Sequence, residues 1–417
     1  MNAINFDFQK RREKLKEFMK NNEILLFHTR DVMMKEDGEF FHSCDSMWRY
    51  FFSNTNSESM VAMIVRDEDE IKVYIGVEEK SEIQKRFEGE ISTQELAEQM
   101  NINTQHIVSK TQFTNILEKY LSKEDFKLSC VYDEKRDYFS QFQRFLNTIQ
   151  KQYNLNTIEN KFKQIAQIRQ IKDEEEIEAI KQANKIAQEV FEEVLKSIHN
   201  CETEQEVFAT LSYEIYKRNS EHAFYPIVAS GKNALTLHYT KHNQPLNNTN
   251  LLLLDFGCEF HGYKSDISRT IPLSGSYSKR QQEVYEAVLR VQEYAISLIQ
   301  EGVKFKEYET QVAKKMGEEL VKLKLITQDE LEEDIQYIRQ YFPHRCSHFL
   351  GLDTHDVGEY NTMQAGMVLT VEPGVYIEEE GIGIRIEDNV VVKENDCENL
   401  SNNIIKSVED ITKKMKK

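Results

Sequence analysis

The sequence predicts an α/β N-terminal domain followed by an α+β C-terminal domain, on three observations. Over residues 1 to about 160, short apolar runs of strand length alternate with stripes of helical period. A long amphipathic stripe then begins behind the charged segment Lys172-Asp-Glu-Glu-Glu176. Beyond it, strands and helices interleave without the regular βαβ period of a doubly wound sheet. A chain of 417 residues is long enough for two or three domains with a large core.

Each element has its own signal. Phe8, Leu15, Phe18 and Met19 stand at helical spacing within residues 5–20. Ile24–Phe27, Met60–Val65 and Ile71–Ile75 read as strands, the last two joined by a hairpin-like turn over Arg66–Glu70. Helical segments follow near 79–100 and 111–122. The long helix from Lys172 opens on acids that complement its dipole. It carries Ile177, Ile180, Ala183, Ala187, Val190, Val194 and Ile198 on one stripe. The domain boundary therefore falls at about 160–170, and we divide the chain into 1–165 and 166–417. Helices are expected at 203–219, 278–301 and 304–322. Strands are expected near 225–229, 250–273, 367–376 and 383–393. Glycines concentrate after residue 230, which places tight turns there.

Composition excludes several classes. A net charge of −18 opposes nucleic acid and anionic membranes. No apolar run approaches the roughly 20 residues of a membrane span. The N-terminus lacks the apolar stretch of a signal peptide. Six cysteines (Cys44, Cys130, Cys201, Cys258, Cys346 and Cys397) show no CxxC spacing, which fits reduced thiols in a cytoplasm. HExxH, GxSxG and P-loop motifs are absent.

The chemistry concentrates where acids interrupt apolar runs. Asp255 follows four leucines, and Asp266 lies eleven residues on, across a turn marked by Gly262. A turn centred between Phe260 and His261 would make the two aspartates direct cross-strand neighbours, Cβ atoms roughly 5 Å apart. Carboxylates that close repel unless they share a proton or a cation. Glu372 in Val368-Leu-Thr-Val-Glu-Pro-Gly and Glu387 in Gly381-Ile-Gly-Ile-Arg-Ile-Glu interrupt apolar strands in the same way. With His348 they make four carboxylates and one imidazole. That donor set suits Mn²⁺, and also Co²⁺ or Zn²⁺, in a binuclear site, and two divalent ions would balance four carboxylates. Arg385, two residues from Glu387, shares its strand face and can orient a ligating carboxylate; the alternative is a surface ion pair. His344 and His355 lie close to His348 in sequence, and His238 ends another apolar run. Cys258 and Cys346 read as packed thiols.

These residues together resemble the aminopeptidase P and prolidase metallopeptidases, which share the pita-bread fold with creatinase and methionine aminopeptidase. The resemblance rests on Leu237-His-Tyr-Thr, Asp255-Phe-Gly, Asp266-Ile-Ser-Arg-Thr, Ser347-His-Phe-Leu-Gly-Leu-Asp-Thr-His-Asp-Val-Gly358, Gly366-Met-Val-Leu-Thr-Val-Glu-Pro-Gly and Gly381-Ile-Gly-Ile-Arg-Ile-Glu-Asp388. It extends to Arg169-Gln-Ile-Lys-Asp-Glu-Glu-Glu-Ile and, in the creatinase-like N-terminal half, to Cys44-Asp-Ser-Met-Trp-Arg-Tyr-Phe51. It implies two divalent ions, Mn²⁺ by preference, held by Asp255, Asp266, His348, Glu372 and Glu387, with Asp266 and Glu387 bridging. It implies catalytic or substrate-contacting roles for His238, His344 and His355, and a supporting role for Arg385. The implied activity is release of an N-terminal residue that precedes proline, by a homodimer or higher homo-oligomer. The rivals are an Xaa-Pro dipeptidase, a metal-free creatinase-like hydrolase, and an inactive binding protein of the same fold. Short connections at Glu378-Glu-Glu380 and between Gly358 and Gly366 depart from the bacterial aminopeptidase P pattern and leave peptide length open.

Overall fold

The computed structural model describes residues 4–29, 33–34, 40–41, 45–53, 60–123, 125–133 and 140–416. Cys44 lies outside them. Two compact units divide between Arg169 and Gln170.

The N-terminal unit is built on a mixed sheet. Its strands are β1 (Glu23–His28), β2 (Val61–Asp67), β3 (Glu70–Val77), β4 (Ile107–Ser109), β5 (Lys127–Cys130) and β6 (Glu159–Asn160), in the order β4-β3-β2-β1-β5-β6. The β1–β2–β3 run is antiparallel, whereas β4, β5 and β6 join in parallel. Period-2 alternation puts Ile24, Leu26, Met63 and Val65 on one face. There they share a core with Phe113 and Leu117 of helix α1 (Lys110–Leu121) and with Phe142 and Leu146 of α2 (Ser140–Gln152). The helix expected over 79–100 is instead two helices, Glu82–Glu88 and Thr93–Met100. Gly89 ends the first at φ 75°, and Ser92 caps the second.

The C-terminal unit opens with α3 (Glu174–Ser197), where Asp173 and Glu176 form a reciprocal capping box. Its buried stripe runs from Ala179 through Ala183, Ala187 and Val190 to Val194. Then come α4 (Glu204–Tyr216), β7 (Ile227–Ser230), β8 (Leu251–Phe256), β9 (Cys258–Phe260), β10 (Tyr263–Lys264) and β11 (Ile267–Pro272). Strands β7, β8 and β11 form one antiparallel sheet. After α5 (Lys279–Ser297) and α6 (Phe305–Lys322) come β12 (Val368–Val371), β13 (Gly374–Ile377), β14 (Ile382–Arg385), β15 (Asp388–Val392) and β16 (Cys397–Asn399). β15 lies between β12 and β16, while β13 pairs with β14. No helix among the described residues is long and apolar enough to cross a membrane.

The register of the 251–272 ribbon corrects one expectation. Asp255 pairs with Ser268, not Asp266, and Phe260 pairs with Tyr263. The turn is His261-Gly262, both at positive φ (51° and 87°), one residue later than assumed. Such a two-residue turn matches the strand twist and suits glycine at its second place. Moving the turn by one residue moves the partner by two, so Asp266 keeps the face of Asp255 as its diagonal neighbour. The ribbon is also interrupted. Gly257 separates β8 from β9, and a Cβ there would stand 2.0 Å from the Ser265 carbonyl oxygen. Only glycine allows that approach.

Candidate metal centre

The strands expected over 250–273, 367–376 and 383–393 are each broken, and the breaks carry the acids. Asp266 sits between β10 and β11, Glu372 between β12 and β13, and Glu387 between β14 and β15. A backbone leaving its ladder needs other partners. Asn389 supplies them at Asp266: its amide oxygen accepts the Asp266 N–H at 3.0 Å and its amide nitrogen donates to the Asp266 carbonyl at 2.7 Å. The Glu387 N–H donates to the Ser268 carbonyl at 3.1 Å, and the Glu372 N–H to the Cys346 carbonyl at 2.8 Å. His348 lies outside any strand. Its N–H donates to Thr370 Oγ1, and its carbonyl accepts from the Thr370 N–H.

All nine site residues expected from the sequence line one cavity of about 510 Å³. Ligand atoms of Asp266, His348 and Glu387 lie within 4.8 Å of one another. That is close to twice a metal–ligand bond. Glu372 joins them, with Oε1 3.4 Å from His348 Nε2. Asp255 reaches the group along the shared strand face. His355 meets His348 edge to face, ring centres 4.4 Å apart. His344 Nε2 is 3.0 Å from the Tyr376 hydroxyl. His238 completes the wall.

The electrostatics are those of carboxylates crowded together in a buried site. Burial, then repulsion from Asp255 and Glu372, holds Asp266 well above the usual carboxylate range. Burial, then Asp266 and Glu372, does the same to Glu387. Burial raises Glu372 to about 7 against the opposing pull of His348 and Arg385. Burial and then Arg385 push His344 down to about 4, and burial and then His348 lower His355.

The donors fit a divalent pair. Asp255 Oδ1 is buried without a hydrogen-bond partner, although Oδ2 accepts from Arg385 at 2.6 Å. A lone pair left bare beside three other acids and imidazoles is what a cation would satisfy. His348 Nδ1 is 3.0 Å from the Phe349 carbonyl. That contact places the proton on Nδ1 and turns a bare Nε2 toward the acids.

Arg385 is not part of a surface ion pair: it is 4% exposed. Its guanidinium spans Asp255, Ser268 Oγ at 2.8 Å and the Tyr376 hydroxyl at 2.8 Å. It reaches Glu387 only through Ser268, whose Oγ donates to Glu387 Oε2 at 2.8 Å. Ser268, Tyr376, Thr370 and Asn389 are site residues that the sequence reading missed. Ser268 had a signal, since it stands two residues from Asp266 on the same face. Asn389 had none, because its partner lies 123 residues away. Cys258 and Cys346 are buried, and burial pushes both thiols up, so they are packed and unreactive.

The model of a family described as metallopeptidase family M24 matches residues 178–394, over half of the chain. The chain belongs to metallopeptidase family M24. A second model, described as the aminopeptidase P N-terminal domain, matches residues 8–129. The M24 chain is 29% identical over 424 residues to the Xaa-Pro aminopeptidase of Haemophilus influenzae, covering 97% of this chain and 96% of the relative. It is 35% identical over 262 residues to that of Escherichia coli, covering 59% of each. A Bacillus anthracis structure assigned as an aminopeptidase P matches with a TM-score of 0.90 at 30% identity, covering 98% of this chain and 97% of that one. The low-pH form of Escherichia coli aminopeptidase P matches with a TM-score of 0.90 at 26% identity over the same shares. An α/β N-terminal unit followed by an α+β pita-bread catalytic unit is therefore the fold of this M24 protein.

Proposed function

We propose that this chain is a metal-dependent exopeptidase that releases the N-terminal residue from peptides with proline in second position. The observation that carries the reading is the single cavity, where buried acids and His348 crowd together without enough hydrogen-bond donors. The names of the full-length relatives support the proline preference. Asp255, Asp266, His348, Glu372 and Glu387 would hold two divalent ions, for which their donor chemistry suits Mn²⁺ and also Co²⁺ or Zn²⁺. When bound, such ions lower the pKa of water and polarise the scissile carbonyl.

The chain's own groups do the rest. Glu372 takes the proton of the attacking water and delivers it to the leaving proline nitrogen. His238 and His355 donate to the oxyanion of the tetrahedral intermediate. His344 is held by Tyr376, and Arg385 fixes Asp255. We assign residues 1–165 to the aminopeptidase P-type N-terminal domain and 166–417 to the catalytic domain. The matched segments 8–129 and 178–394 support this division. We place the enzyme in the cytoplasm as a homodimer or higher homo-oligomer, the location in keeping with five free cysteines among the described residues.

Purified protein is expected to carry close to two divalent ions per chain and to cleave Xaa-Pro peptides longer than two residues. Cleavage of the Xaa-Pro dipeptide alone would replace this reading with a dipeptidase. Absence of both metal and cleavage would leave an inactive binding protein.

A further inference from the structure

The cavity has a second wall, unlike the acidic floor. Phe224, Tyr225, Leu237 and Tyr360 line it, and of these four Tyr225 and Tyr360 are exposed, toward its mouth. Tyr225 is 57% exposed, whereas Asp255, Asp266, Glu387 and Arg385 are all buried. An aromatic ring left that open beside a binding cavity has a free face for a ligand.

Tyr225 is braced from behind. Its ring stacks on His242 at 5.5 Å with planes 8° apart. His242 stacks on Phe208 at 4.7 Å, and Phe208 stacks on His222 at 6.0 Å and 5°. His242 is 1% exposed and adopts a left-handed φ of 48°, a conformation held by its surroundings. Its Nε2 is 3.0 Å from the Pro226 carbonyl, so Nε2 carries the proton. Burial lowers its pKa, which keeps the imidazole neutral and flat against the tyrosine. Phe208 of α4 also meets the Tyr225 ring directly at 5.3 Å, so the three rings form one cluster that fixes the tilt of Tyr225.

Position identifies what reaches that face. In the proposed exopeptidase the free α-amine and first residue occupy the acidic floor, and the proline follows. Only the chain beyond the proline extends to the mouth. We propose that Tyr225, backed by His242 and Phe208, is the surface on which the residue after the proline packs, so that the enzyme prefers peptides with an apolar or aromatic third residue. This rests on the function proposed above.

Ala-Pro-Phe amide and Ala-Pro-Gly amide, which differ only in the third side chain, test it on the metal-loaded protein. Wild type should show a kcat/KM for the Phe peptide about five- to tenfold above that for the Gly peptide, carried mainly by KM. Tyr225→Ala should reduce that ratio to near one, and Tyr225→Phe should retain it. The ring is more than half exposed, so its removal leaves the core intact. Equal rates on both peptides in wild type, or an unchanged ratio in Tyr225→Ala, overturns the ledge and leaves the exopeptidase standing. A folded, metal-loaded wild type that cleaves neither peptide overturns the exopeptidase reading, and the ledge with it.

Discussion

Glu204 and Glu387 are both buried carboxylates in the same unit, and their surroundings are opposites. Glu204 heads α4 and is fully buried. It accepts hydrogen bonds from Ser230 N (2.7 Å), Ser230 Oγ (2.8 Å), Asn233 Nδ2 (2.8 Å), the Tyr239 hydroxyl (2.8 Å) and Gln244 N (3.2 Å). All five donors are neutral, and together they saturate a carboxylate's acceptor sites. Among the described residues, Glu387 accepts one such bond, from Ser268, and faces Asp266, Glu372 and Asp255. The number of donors separates a structural acid from one that a cation could satisfy. Glu204 clamps the segment bearing His238 without touching the reaction, whereas Glu387 lies inside the site.

That contrast can be broken by experiment. The largest effect is expected from Asp266→Asn, which leaves the fold but removes a proposed metal ligand. Turnover should fall by well over a hundredfold, more than the loss of an outer partner causes, and metal content should drop with it. Wild-type turnover in this variant would end the metal reading. Arg385→Lys keeps the charge but loses the planar fork across Asp255, Ser268 and Tyr376. A tenfold to hundredfold weaker metal affinity, on the order seen for such supporting groups, should appear in a chelator competition.

Glu204→Gln should act on stability instead. Whichever way the amide turns, its NH₂ meets N–H groups that cannot accept, Ser230 N and Asn233 Nδ2 on one side or Gln244 N on the other, at about 1–3 kcal/mol in urea unfolding, with metal content unchanged. If Glu204→Gln lost metal while staying folded, counting donors would not distinguish the two acids.

The smallest effect is a slope with pH. Glu372 has its pKa raised to about 7 in the folded apoprotein, from an ordinary 4.5. The folded form then binds more protons than the unfolded one, so this group's contribution to apoprotein stability falls as pH rises from about 4.5 to about 7. Asp266 and Glu387 push in the same direction. His344, lowered to about 4, acts the other way, losing stability as pH falls below its ordinary value. The gap in melting temperature between metal-loaded and chelator-treated protein should therefore widen as pH rises through that window. A constant gap would show that the carboxylates are not competing with protons for the ions.

The site was largely legible because its acids interrupt apolar runs. Asp255, Glu372 and Glu387 each break a hydrophobic pattern, and a buried acid must find compensation wherever the chain folds. The same run of apolar residues hid the breaks in the strands, since a continuous hydrophobic stretch looks alike whether the ladder holds or ends. It also hid Tyr376 and Thr370, whose hydroxyls sit on strands that read as ordinary core. In the N-terminal half the split of the 79–100 helix was marked by Gly89 and Ser92, a stop and a start that helical period alone does not weigh.

The sequence by itself determined that Asp255, Glu372 and Glu387 interrupt apolar runs, because an interrupted pattern is a local property of the chain, but it did not mark Glu204, fully buried at the head of α4. It determined that Asp255 and Asp266 lie on one side of a ribbon, since that parity survives a one-residue error in the turn. Only the tertiary structure decided their true register, through the positive φ of His261 and Gly262. It alone decided how many donors each buried acid receives. Those donors come from segments far apart, such as Arg385 to Asp255 across 130 residues, while Glu204 gathers its own from 26 to 40 residues downstream. Hydrogen-bond satisfaction is a property of neighbours in space, and local pattern carries no record of them.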